Sequence, residues 1–366
     1  MDYDEPLFFR VMSYAVNADW DVIDMVSGSP DWEPPAAIPE GLHEYADLGG
    51  ASFQYAPATG LVELREAIAE EHGVQMENVV ITNGTGEANY LAIAEALDRK
   101  AGTEVVLTDP VYPYYPGKVK LLGGTQSFVP VDDDGSLDPA AVRDVASEET
   151  ACIVVNTPNN PTGAVYDAET MEELVAIAEE YDAVLVSDEV YSAFDYTGTF
   201  ASALETDSDH RIVTGAFSKT FAITGFRIGY VIGPAQFMDG IGTRHMLINV
   251  SISRPGQYAV LHALENTEEA YYEANRRLLA DRIETFTAAL DEGGMPYDRP
   301  DGAFYVMVDI PGFEANFENV IDLIDETGVA GMPGEGFGTA RETWIRFALV
   351  TPRVEEAADR LLEYFG

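Results

Sequence analysis

The chain has 366 residues, 46% of them hydrophobic, which is material for large cores and for about two domains at roughly 150 residues each. Sixty-four Asp and Glu face 20 Lys and Arg, a formal charge of −44 that repels nucleic-acid phosphate and anionic membranes. A single cysteine, Cys152, excludes an intrachain disulfide, and no apolar run approaches the ~18 residues of a membrane span.

The first 40 residues are rich in Pro and Asp and lack a strand–helix rhythm, so they are expected to pack with a second, smaller unit. From about residue 60 two hydrophobic periods alternate. "LVELREAIAEEHG" predicts a helix, "NVVIT" (78–82) a strand, "EANYLAIAEALDRK" a helix and "TEVVLT" (103–108) a strand. A Tyr/Pro-rich turn leads to the run "SFVPV", the helix "DPAAVRDVA" and the buried strand "ACIVV", in which Cys152 reads as a small hydrophobe. The helix "AETMEELVAIAEEY" and the strands "DAVLVS" and "HRIVTG" follow. Strands separated by helices of this length indicate βαβ units and a mostly parallel sheet flanked by helices.

Near residue 255 the pattern changes. "GQYAVLHALENTEEAYYEANRRLLADRIETFTAAL" reads as one long helical stretch, whole or broken, before "AFYVMVDI", "NVIDLIDET", "TWIRFALV" and "RVEEAADRLLEYF". The expected division is a large α/β domain over 41–258, with 1–40 and 259–366 forming a small α+β domain that closes over the site.

Ligands of open α/β sheets bind outside the carboxyl ends of the strands, and the loops there carry polar residues. "NGTGEANY" opens directly into a helix, so Gly84, Thr85 and Gly86 offer backbone N–H groups and a helix dipole to an anion. Asn89 occupies the third glycine position of a dinucleotide fingerprint, which weakens a nicotinamide dehydrogenase reading. "NTPNNPTG" presents Asn160, and "DEVY" places Asp188 at a strand end with Tyr191 three residues on. "SKTFAITGFR" carries Ser218, Lys219 and Arg227.

The chain has only four lysines, and Lys100, Lys118 and Lys120 sit where solvation is expected. Lys219 lies among small and apolar residues. A semi-buried ammonium needs a partner or a lowered pKa, and a neutral lysine amine forms Schiff bases with carbonyls. A phosphate cradle, an Asp for a pyridinium nitrogen, a Tyr, a Lys and an Arg are together what pyridoxal phosphate requires.

"NNPTG", "DEVY" and "SKTFAITGFRIGY", in this order, resemble the class I/II aminotransferases among the fold type I pyridoxal-phosphate enzymes. The resemblance extends through "SGSPDWEPP", "QYAPATGLVELREAIA", "DPVYPYYP", "DGAFYVMVDI", "VAGMPGEGFG" and "WIRFALVTPRVEEAADRL", from about residue 22 to the end. It implies that Lys219 holds the cofactor and then shuttles a proton, that Asp188 pairs with the ring nitrogen, and that Tyr191 and Asn160 contact the ring oxygen. Tyr112 would stack on the ring. Gly84, Thr85, Gly86, Ser218 and Arg227 would hold the phosphate, with Tyr55 reaching over from a second subunit. Arg346 would clamp the substrate carboxylate, aided by Asn160 and the backbone at Gly28. One departure is Ala216, where many relatives carry a phosphate-binding hydroxyl; Ser218 is the available substitute.

The implied activity is ping-pong transfer of an amino group from an L-amino acid to a 2-oxo acid by a homodimer. The same cofactor site also serves β-elimination at a C–S bond or amino-acid decarboxylation. A pyridoxal-binding regulator is disfavoured because no basic DNA-binding extension is present. For a dicarboxylic substrate, Arg244 or Arg254 is the candidate second cation; alternatively Tyr14, Trp32 and Tyr112 would line an apolar pocket. The acid excess, spread along a lysine-poor chain, points to the cytoplasm of a high-salt cell, where screening acts within about 3 Å. The acidic start "MDYDEPLFFR" does not read as a targeting peptide, and five scattered histidines suggest no metal site.

Overall fold

The computed structural model describes residues 5–99 and 102–366, so Lys100 lies outside the described residues. Seven strands form the main sheet in the order Val79–Thr82, Gly229–Ile232, Arg211–Ala216, Val184–Asp188, Thr150–Asn156, Glu104–Asp109 and Thr125–Pro130. Gly229–Ile232 is antiparallel to both its neighbours, and every other pairing is parallel. Six strands therefore end on one edge, where the seventh begins. Thr150–Asn156 and Val184–Asp188 are buried throughout, which is why they read as unbroken apolar runs rather than alternating ones.

Helix Gly84–Arg99 crosses one face of the sheet, packing Leu91, Ala92 and Ile93 against Val105, Val154 and Val186. Helix Ala168–Glu180 covers the other face through Met171, Leu174 and Ile177. Its start is capped by Asp167, which accepts from Thr170 N at 2.9 Å.

A three-stranded antiparallel sheet places Ile345–Ala348 between Met332–Pro333 and Tyr305–Val308. Beside it Ile23–Asp24 pairs in parallel with Val329–Ala330, bringing the N-terminal segment to this unit. Val11, Ile23 and Met25 join its core. Ala37 and Ile38 instead pack in a core with Leu64, Ile81 and Val260 that backs the main sheet. The first 40 residues are thus shared between two cores. Residue 41 lies inside helix Ala37–Ala46 and residue 258 inside helix Arg254–Asn266, and these two helices pack together.

The long helical stretch is broken at Thr267–Glu268 into Arg254–Asn266 and Glu269–Gly293. Among the longer elements, helices Leu7–Val16, Ala37–Ala46, Tyr114–Leu121 and Ala235–Asn249 and strand Gly229–Ile232 have no counterpart in the sequence expectations. No helix among the described residues is long and apolar enough to cross a membrane.

Candidate active site

A cavity of about 590 Å³ opens at the edge where the strands end. Asn156 and Asp188 are the last residues of neighbouring strands and stand in register. Ala216 ends a third strand, and the next turn carries Ser218 and Lys219. From the strand Glu104–Asp109 the chain runs through two residues to Tyr112.

Lys219 Nζ donates to the carbonyl of Gly28 at 2.7 Å. Burial, then the nearby charges of Arg346 and Arg227, push this ammonium down to about 8, against a smaller opposing pull from Asp188. Gly28 must be glycine: a Cβ there would stand 2.1 Å from the Tyr305 hydroxyl.

Asp188 is 3% exposed, so the solvated strand-end Asp common in acidic proteins does not describe it. Its Oδ2 accepts from Asn89 Nδ2 and from the Tyr115 hydroxyl, both at 2.7 Å, and its Oδ1 from Val190 N at 3.2 Å. Asn89 is itself fixed by Thr214, whose hydroxyl donates to its Oδ1 at 2.7 Å. Burial raises the Asp188 pKa, and these donors with the charge of Lys118 oppose the rise. The result is a carboxylate aimed into the cavity.

The anion corner forms where helix Gly84–Arg99 begins. Thr85, Gly86, Ser218 and Arg227 line the cavity, while Gly84 sits beneath the guanidinium. Gly84 has φ +72°, and a Cβ on it would come within 2.5 Å of Arg227 Nη2. Arg227 is itself left-handed at φ +59° and is steadied by donating to the carbonyls of Thr224 and Asn83 at 3.1 and 3.2 Å. Ser218 Oγ is buried with no hydrogen-bond partner. An orphaned hydroxyl, an arginine and a helix N-terminus suit a phosphate, and Ser218 is present where Ala216 cannot act.

On the opposite wall Arg346 is 4% exposed and has no carboxylate partner among the described residues. Nη1 donates to Asn160 Oδ1 at 2.9 Å and Nη2 to the Val26 carbonyl at 2.5 Å, while Nε is buried without a partner. The guanidinium lies 4.5 Å from the Tyr305 ring and 4.9 Å from that of Phe337. Asn160 is positioned by Asn156, whose Oδ1 accepts from its backbone N–H at 2.8 Å. A buried, incompletely paired arginine at a cavity wall calls for an anionic ligand.

Tyr191 shares a 2.9 Å hydrogen bond with Tyr305, and Tyr112 lines the cavity with its ring edge-on to Tyr115. Tyr55 lies elsewhere, 80% exposed on a surface hollow shared with Phe53 and Arg254.

Several expectations are corrected. Arg244 is tied to Glu95 and Asp98, and Arg254 donates to the carbonyls of Ala51 and Gln54, so neither arginine lines the cavity of its own chain. Tyr14 donates to Asp325, and Trp32 packs edge-on against Phe194 and Phe304; neither lines the cavity. Lys118 is half-buried against tyrosine rings rather than freely solvated.

Asn89, Tyr115, Asn156 and Tyr305 are site residues that sequence reasoning missed. Only Asn89 left a signal, as an amide on the otherwise apolar face of its helix.

Residues 21–363 match the family described as aminotransferase class I and II. The aspartate/prephenate aminotransferase of Thermus thermophilus is 32% identical over 363 residues, covering 94% of this chain and 91% of that one. The aromatic-amino-acid aminotransferase 2 of Thermococcus litoralis is 32% identical over 357 residues, covering 93% and 90%. A solved structure of Thermus thermophilus aspartate aminotransferase with maleate superposes with a TM-score of 0.92 at 30% identity, covering 98% of this chain and 97% of that one. These relatives favour amino-group transfer over elimination or decarboxylation. The chain belongs to the class I and II aminotransferases, pyridoxal-phosphate enzymes of fold type I that move an amino group between an amino acid and a 2-oxo acid.

Proposed function

We propose that Lys219 is the lysine that carries pyridoxal phosphate and moves the substrate proton, and that the side chain of the amino acid served is apolar or aromatic. The observation that carries this reading is the allocation of cations. Among the described residues the cavity holds three cations, Lys219, Arg227 and Arg346. Holding the cofactor's carbonyl, its phosphate and the substrate α-carboxylate would engage all three. The lining that remains includes Leu7, Phe8, Tyr114, Met332 and Phe337. A second substrate carboxylate placed here would lose hydration and meet only neutral hydroxyls such as those of Tyr114, Ser27 and Ser29, with no further cation of the same chain to replace it.

Pyridoxal phosphate supplies the electron-withdrawing ring that makes the substrate Cα–H acidic. The residues do the rest. Asp188 would hold the ring nitrogen, Tyr112 the ring face, and Tyr191 and Asn160 the ring oxygen. Gly84, Thr85, Gly86, Ser218 and Arg227 would take the phosphate. Arg346, with Asn160 and the backbone at Gly28, orients the α-carboxylate. With its pKa pushed down to about 8, Lys219 would give up its proton far more readily than a solvated lysine, which suits transfer of the Cα proton.

The partition into 41–258 and 1–40 with 259–366 is proposed as the pair of bodies between which the cavity opens, with the whole of helices Ala37–Ala46 and Arg254–Asn266 going with the larger one. Tyr55, exposed beside Phe53, is proposed to reach the phosphate of a second subunit in a homodimer. The charge of −44 supports a home in a high-salt cytoplasm.

The test is the visible spectrum of the protein in molar KCl with pyridoxal phosphate, before and after single amino acids without any oxo acid. Phenylalanine or leucine is expected to discharge the lysine-linked band faster than aspartate. A faster aspartate reaction refutes the substrate class. Absence of the band defeats the assignment of Lys219.

A further inference from the structure

Lys118 raises a question that cofactor binding does not answer. Lysine is nearly absent from this chain, yet one stands in the last turn of helix Tyr114–Leu121, half-buried. Its Nζ lies 5.5 Å from the ring of Tyr115, 5.8 Å from that of Tyr114 and 6.0 Å from that of Tyr112. These are cation–π distances, and Tyr114 and Tyr115 sit four and three residues back on the same helix face. In a chain with 64 acids, Lys118 forms no ion pair or hydrogen bond to a described side chain. The carboxylate whose charge it feels is Asp188. The connection runs through Tyr115, whose ring is the nearest of the three and whose hydroxyl donates to Asp188 Oδ2 at 2.7 Å.

We propose that Lys118 is a positioning residue of this active site: its ammonium, boxed by three tyrosine rings, holds Asp188 charged through Tyr115, so that the ring nitrogen of the cofactor keeps its proton. A cation against the Tyr115 ring makes the phenol a stronger donor to Asp188. Moving the proton from the ring nitrogen onto Asp188 would carry positive charge toward Lys118, which like-charge repulsion opposes. The enclosed ammonium, whose own pKa is pushed down to about 8, is charged at neutral pH. This inference rests on the assignment of Asp188 to the ring nitrogen.

The test compares Lys118→Met, which keeps the stem, with Lys118→Arg, which keeps the charge, both as holoenzymes in molar KCl. The half-reaction with the fastest amino acid of the panel supplies kcat and KM. Titration of the apoenzyme supplies the Kd for pyridoxal phosphate. The Met variant is expected to lose about tenfold in kcat, with KM unchanged and a weakened Kd, because Asp188 loses a charge that opposes the rise burial imposes on its pKa. The Arg variant is expected to recover most of both. In an Asp188→Asn background, Lys118→Met is expected to change neither quantity, because the group it acts through is gone.

Wild-type kcat and Kd in the Met variant overturn the proposal. So does a loss that arginine does not rescue, or one that persists in full beside Asp188→Asn. Thermal unfolding accompanies each variant, and if Met destabilises the fold, Lys118→Gln takes its place under the same criteria. A wild-type protein that fails to take up pyridoxal phosphate or to convert any amino acid defeats the Asp188 and Lys219 assignments themselves, an outcome separable from the comparison of variants.

Discussion

Lys219 has to be uncharged to attack a carbonyl, and its surroundings arrange this without a dedicated base. Burial and the flanking charges of Arg346 and Arg227 bring its pKa from the ordinary 10.5 to about 8. The neutral fraction therefore rises through pH 8 and is nearly complete by about pH 9, one unit above that midpoint. Loading of pyridoxal phosphate onto the apoenzyme is expected to accelerate with a midpoint near pH 8 and then level off, as followed by stopped-flow absorbance. A rate still climbing at pH 10 would mean that Lys219 behaves as a solvated lysine. Lys219 and Arg346 are legible in the sequence because a charged residue among apolar neighbours needs a reason. The donors to Asp188 are not. Asn89 is 99 residues away in sequence and Tyr115 is 73 away, so only the folded sheet brings them to one carboxylate. Lys118 misleads because the Tyr/Pro-rich segment before it reads as a turn, and a turn leaves a lysine in water.

At the scale of elements, periodicity finds the buried strands and the long helices, where many apolar side chains repeat in step. It fails on helix Tyr114–Leu121, which follows Pro113 and holds Pro116 and Gly117. Proline is tolerated there because the N–H groups of a first helical turn have no intrahelical partner. Helix Ala235–Asn249 is hidden by Gly240 and Gly242 and by a weakly apolar face. Gly240 leaves room for the Glu95 carboxylate, which a Cβ 2.0 Å from its Oε2 would force aside. A fastener between elements is equally invisible. Arg341 donates to Asp298 at 3.1 to 3.3 Å and to the carbonyl of Asp132 at 2.8 Å, joining the segment before strand Ile345–Ala348 to the far edge of the main sheet. Asp298 is 1% exposed, and burial pushes its pKa up to about 6 even with the arginine present. Arg341→Met leaves that carboxylate buried alone and is expected to cost about 3 kcal/mol in denaturant unfolding. Adding Asp298→Leu removes the orphaned charge and is expected to restore most of the loss. A double variant as unstable as the single would show that packing, not charge, is at stake.

For the whole molecule, charge and apolar surface pull in opposite directions. Each chain carries −44, yet Met246, Leu247, Ile248 and Val250 stand out at the end of helix Ala235–Asn249, close in sequence to the hollow that holds Tyr55 and Arg254. Leu247 is 77% exposed and Tyr55 80%, which is costly for a monomer in water and suited to a second copy of the chain. Two such chains repel at low salt, whereas molar KCl confines the repulsion to about 3 Å and lets apolar burial win. Sedimentation is expected to show a dimer in molar KCl that dissociates and loses cofactor as salt is withdrawn. Leu247→Asp adds a charge inside the proposed interface and is expected to give a folded monomer in the same salt. That monomer should bind pyridoxal phosphate about tenfold more weakly, the value of one hydrogen bond to a charged group, because Tyr55 no longer reaches the phosphate of its partner. Tyr55→Phe should keep the dimer and lose the same affinity, which separates the hydroxyl from the assembly. Undiminished affinity in the Leu247→Asp monomer would place the whole phosphate site within one chain and leave the exposed patch without this role.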